Sequence, residues 1–101
     1  MRLDPQQQKY LDELCEGFAV ERLCVFGSIS RGEERPDSDL DIFVSFRESL
    51  SAEDYATNYF ALKEALESTF KRPVDLLTQA ALKNPFLRQS IEMDQRVLYA
   101  A

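Results

Sequence analysis

The chain has 101 residues, 45% of them hydrophobic and 30% charged, which gives room for a single domain, 1–101, around a modest core. A net charge of −6 offers no electrostatic advantage on DNA or RNA, and no basic run could track a phosphate backbone, so direct nucleic-acid binding is not expected. Two cysteines without a histidine exclude a serine–histidine or cysteine–histidine triad from this chain alone and leave no usual zinc ligand set. Cys15 and Cys24 read as reduced, buried thiols. The opening MRLDPQQQKY lacks the apolar core of a signal peptide, and no apolar run approaches the roughly 20 residues of a membrane span, so a cytoplasmic location is expected.

In chain order, Asp4-Pro5-Gln6-Gln7 predicts a helix start, with Asp4 as N-cap, Pro5 in the first turn and Gln7 completing a capping box. Leu11, Leu14, Cys15 and Phe18 mark its apolar stripe, and Gly17 can end it. Leu23 to Phe26 is a first strand, closed by a Gly27-Ser28 turn that could open a short helix. A polar loop follows at 33–37, where Pro36 stops any helix. Leu40 to Phe46 is the second strand. Ser51 to Asp54 reads as another helix start, and Tyr55, Tyr59, Leu62, Leu66 and Phe70 recur on one face of a long helix, packing against the sheet. Pro73 to Thr78 is a short third strand. Leu82 through Met93 is helical, with a break near Asn84-Pro85, and Arg96 to Tyr99 reads as a last short strand. Strands alternating with helices indicate an α/β or α+β fold, a sheet covered by helices.

The second strand carries an expensive feature. Alternate side chains share a face, so Leu40, Ile42, Val44 and Phe46 make one apolar face while Asp39 and Asp41 project together from the other. Two such charges about 6.5 Å apart repel by about 2.5 kcal/mol at an effective dielectric near 20. Convergent carboxylates suit a hard divalent cation, commonly shared with substrate phosphates. Upstream, Gly27-Ser28 could supply free backbone N–H groups to a phosphate. A phosphate cradle and a carboxylate pair joined by one loop suggest nucleotide chemistry. Asp75 is the other acid inside an apolar strand run; from the residues alone it is either solvated, paired with Arg72 or Lys71, or a third carboxylate of the same site. No Walker A pattern is present, three glycines are too few for a Rossmann fingerprint, and acids on one short strand cannot flank a sugar ring.

Gly27-Ser28, ten intervening residues, then Asp39-Leu40-Asp41, with Arg31, Gly32 and Ser38 between, resembles the signature of the polymerase-beta-like nucleotidyltransferase superfamily. The chain looks like its small members, the minimal nucleotidyltransferases, over nearly its whole length. The resemblance implies a mixed rather than all-parallel sheet. It also brings in Asp75, in a Val-Asp-Leu context, as the third catalytic acid. Asp39, Asp41 and Asp75 would together hold one magnesium ion that lowers the pKa of an incoming hydroxyl, with Asp75 as general base. Asp39 and Asp41 would hold a second ion against the triphosphate of ATP, where Gly27 permits close backbone approach and Ser28 and Arg31 bind the nucleotide. Ser38 shapes the turn, and Asp37 is a solvated loop acid. Two departures stand out: Ser30 replaces a small apolar residue, and Glu33 and Glu34 put acids near the presumed triphosphate.

Such proteins are often antitoxins acting on a HEPN-domain toxin. The implied function is transfer of a nucleoside monophosphate, AMP from ATP, to a hydroxyl of that partner, a tyrosine by resemblance, which neutralises it. The sequence ends about where larger members begin a further substrate-binding domain, so the acceptor surface is expected from a toxin partner or from a second copy in a homo-oligomer. The alternative is a non-catalytic antitoxin whose acidic surface silences a basic toxin by contact alone.

Overall fold

The computed structural model describes residues 3–27 and 39–101. Helix α1 (Pro5–Gly17) begins as its sequence predicts. The Asp4 carboxylate accepts from the Gln7 N–H at 2.7 Å, and the Gln7 side chain accepts from the Asp4 N–H at 3.1 Å. These reciprocal bonds satisfy two backbone donors that a helix end leaves open. Leu11 and Cys15 are buried, and Leu14 and Phe18 lie at the margin of the same stripe. The chain leaves through Ala19, whose φ of 57° turns it sharply into strand β1 (Val20–Phe26). That strand starts three residues earlier than Leu23. Glu21 and Arg22 are exposed where the pairing to β2 is irregular, between Val20 and Arg22, and this polar pair conceals the fully buried Val20.

Strand β2 (Leu40–Phe46) runs antiparallel to β1, and helix α2 (Ala52–Phe70) follows, capped by Ser51, whose Oγ accepts from the Asp54 N–H. Leu62 and Leu66 are fully buried, each contributing about 1.5–3 kcal/mol by leaving water. The aromatic stripe packs as expected: Tyr59 and Phe70 lie against the core, and the Tyr55 ring meets Phe46 edge-on at 4.9 Å. Strand β3 (Val74–Leu77) pairs parallel with β2. A 3-10 turn (Gln79–Lys83) and helix α3 (Pro85–Asp94) are separated at Asn84, which caps α3 by accepting from the Phe86 and Leu87 N–H groups. Strand β4 (Arg96–Ala100) closes against β1.

Among the described residues the sheet has four strands in the order β3-β2-β1-β4, parallel only between β2 and β3. The expected mixed sheet under helices is therefore the observed fold. Alternation divides it cleanly. Leu40, Ile42 and Val44 join Leu11, Cys15, Leu62 and Leu66 in the main core beneath α1 and α2. Phe26, Phe43 and Ile91 form a smaller cluster on the opposite face, beneath α3. Both cysteines are free and buried. No helix among the described residues is long and apolar enough to cross a membrane.

Candidate active site

The face bearing the smaller cluster also bears the acids. In register, Phe26 of β1 lies opposite Asp41 of β2, and Asp41 lies beside Asp75 of β3. Registered neighbours project to the same face, so Asp41 and Asp75 stand side by side. The next row, Phe43 beside Leu77, is apolar and gives the carboxylates a dry flank. Asp39 is exposed and immediately precedes β2, at the entrance to the row.

Gly27 closes the row from the end of β1. Its φ of +78° lies in the left-handed region, and a Cβ built there would stand 2.7 Å from Asp41 Oδ2. The missing side chain is thus the space that the Asp41 carboxylate occupies, which is a tighter demand than a turn alone makes.

The electrostatics tie the acids together. Half-burial, then the charge of Asp75, then that of Asp39, push the Asp41 carboxyl above its usual range. All three acids therefore act on one spot, with desolvation the largest influence. Burial, followed by the charge of Asp75, also raises the Tyr59 phenol on α2. Among the described residues, no three His, Cys, Asp or Glu side chains form a group that could hold a metal ion by themselves. The donors present are nonetheless all carboxylate oxygens, with mutual repulsion that a cation would relieve. That chemistry fits a hard divalent ion completed by oxygens of a bound phosphate.

Of the residues singled out in the sequence, the fold brings together Gly27, Asp41 and Asp75 and sets Asp39 beside them. Ser28, Arg31 and the 33–37 loop lie outside the described residues, as does the helix start expected after Gly27. Of two clefts of about 350 and 340 Å3, one lies on α1 around Tyr10 and Phe18, and the other borders the far side of Phe43, around Arg22, Ser45 and Gln79; neither is lined by an aspartate. Two neighbours of the site are not legible as such in the sequence. Tyr59 donates to the Leu76 carbonyl at 2.6 Å, and Glu67 accepts from the Val74 N–H at 3.0 Å, so they bracket Asp75 along its own strand. In the sequence Tyr59 reads only as part of a packing stripe, since nothing in helical spacing reveals where a hydroxyl ends.

The mixed sheet, the registered acid pair and the glycine closing over it describe a nucleotidyl-transferring domain. The chain belongs to the nucleotidyltransferase domain family, whose model matches residues 8–98. It is similar to the protein adenylyltransferase MntA of Thermococcus cleftensis, at 42% identity over 72 residues, covering 71% of this chain and 69% of that one. A solved candidate minimal nucleotidyltransferase is 33% identical, with a TM-score of 0.68 over 90% of this chain and 88% of its own. The fold also matches, at 19% identity and a TM-score of 0.61, a chain from a complex of tri-AMPylated Shewanella oneidensis HEPN toxin with its MNT antitoxin; 95% of this chain and 71% of that chain are covered.

Proposed function

We propose that this protein is an antitoxin that transfers the adenylyl group of ATP to a hydroxyl, a tyrosine in the first instance, of a HEPN toxin and thereby neutralises it. The observation carrying this reading is the registered pair Asp41–Asp75 enclosed by Gly27, with Asp39 at its entrance. The similarity to protein adenylyltransferases supports the donor, and the likeness to a toxin-bound antitoxin fold supports the acceptor.

In the transfer, the acceptor oxygen attacks the α-phosphorus, a new P–O bond forms, and the bond to the bridging oxygen breaks. Pyrophosphate leaves with the electron pair. Asp75, exposed at the edge of the row, takes the hydroxyl proton. Asp41 and Asp75, with Asp39 at their entrance, would hold magnesium only together with the nucleotide's phosphate oxygens, and the ion would then supply positive charge against the triphosphate and the departing pyrophosphate. Gly27, with no side chain to displace the Asp41 carboxylate, lets its backbone approach the nucleotide's phosphates, and Ser28 and Arg31 are assigned to bind them. The apolar row at Phe43 and Leu77 keeps water from one side of the acids, which strengthens every charge interaction there.

The test uses the chain with a purified HEPN toxin, ATP and magnesium, reading the toxin's mass for added adenylyl groups and its RNase activity in parallel. Adenylylation coinciding with loss of RNase activity supports the proposal. The variant with both Asp39→Asn and Asp41→Asn should do neither. Full neutralisation by that double variant would assign the effect to contact alone.

A further inference from the structure

β3 is the edge strand that carries Asp75, and it is only four residues long. Its ladder to β2 begins where the Leu40 N–H donates to the Pro73 carbonyl at 2.9 Å. Backbone groups along a strand turn alternately to its two sides, so those of Val74 and Leu76 face away from β2, towards the open edge. These are the two positions that α2 reaches. Glu67 accepts the Val74 N–H, and the Tyr59 hydroxyl donates to the Leu76 carbonyl. The carboxylate of Glu67 also lies 3.8 Å from the Lys63 ammonium one turn earlier on α2.

We propose that Tyr59 and Glu67 are positioning residues that clamp β3 on both sides of Asp75 and so hold its carboxylate in register with Asp41. The argument rests on the role assigned to Asp75 in the transfer reaction. A slip of one residue would send Asp75 to the opposite face, into the core occupied by Val74 and Leu76. A four-residue ladder on one side is little restraint against smaller displacements. The clamp supplies the restraint from the other side, and it satisfies the Val74 N–H and the Leu76 carbonyl, which an open edge would otherwise offer to another strand. Neither residue touches substrate; each acts through the backbone of β3.

The consequence is a defect in turnover rather than in nucleotide binding. With the full-length chain, toxin and ATP, Tyr59→Phe combined with Glu67→Ala should lower kcat roughly ten- to hundredfold, as expected for a reacting group displaced by a fraction of an ångström, with KM for ATP changed less than about threefold. Glu67→Ala alone should lower kcat roughly three- to tenfold, whereas Glu67→Gln, which keeps an oxygen acceptor for the Val74 N–H, should retain at least half of wild-type kcat. Hydrogen exchange in the metal-free protein supplies a readout independent of activity: the Val74 amide should exchange at least tenfold faster in the double variant, while amides of β1 remain protected. Asp75→Asn is run beside these. If Asp75→Asn is inactive but the double variant turns over at the wild-type rate despite faster Val74 exchange, the clamp is merely structural and the inference fails while the transferase reading stands. If Asp75→Asn is fully active, the assigned role of Asp75 fails, and the clamp proposal with it. If Glu67→Gln is as impaired as Glu67→Ala, acceptance from Val74 is not what matters, and the inference is overturned.

Discussion

Gly27→Ala separates the demands of folding from those of the site. The added Cβ would lie 2.7 Å from Asp41 Oδ2, where ordinary contact begins at 3.4 Å, a shortfall of about 0.7 Å. The atom in the way is the end of a short side chain, so the carboxylate can swing aside and the sheet need not open. The backbone contribution is the left-handed φ of +78°, which costs an alanine about 1–2 kcal/mol. The variant should therefore fold, with stability lowered by about 1–3 kcal/mol once the displaced carboxylate is included. Its transfer rate should fall far more, roughly a hundredfold, because the group forced to move is the acid at the centre of the row. Gly17→Ala is the internal control. Nothing lies within 4 Å of a Cβ there, so its rate should be unchanged and its stability equal or higher by up to about 1 kcal/mol. Denaturant melts and single-turnover adenylylation of the toxin, run on both variants, check this. A Gly27→Ala protein that transfers AMP at the wild-type rate would refute the argument that Asp41 must stay where the glycine lets it stand.

Asp41→Asn should abolish transfer yet stabilise the protein in EDTA at neutral pH, since the raised Asp41 carboxyl marks a charge that folding disfavours. The native state then binds more protons than the unfolded chain, so the contribution of Asp41 to stability falls as pH rises from the ordinary value of 3.8 through its raised native value; thermal melts across that window should show a decline that the variant lacks. Lys71→Gly removes a left-handed residue at the end of α2, where φ is 57°, and should raise stability by roughly 0.5–1 kcal/mol in urea melts. Cys15, fully buried, has its thiol pushed up to about 12, chiefly by burial; it should resist alkylation at pH 8 in the native protein and react promptly in denaturant.

Much of this molecule is local chemistry that a sequence displays openly. The Asp4–Gln7 capping box, the break at Asn84-Pro85 and the apolar face of Leu40, Ile42 and Val44 depend on neighbours within a few residues, and each forms as expected. Asp39 and Asp41 were conspicuous for the same reason, as acids in an apolar run. The early start of β1 is hidden because Glu21-Arg22 is polar and only pairing with β2 and β4 makes it a strand. What no local pattern contains is which strands become neighbours. The crossover through α2 lays β3 parallel to β2 at a register that sets Asp75 beside Asp41, thirty-four residues away in sequence, and it carries Tyr59 and Glu67 to the outer edge of that strand. Side-chain identity decides what each residue can do. Long-range backbone pairing and helix packing, which belong to the whole chain at once, decide which of those residues meet.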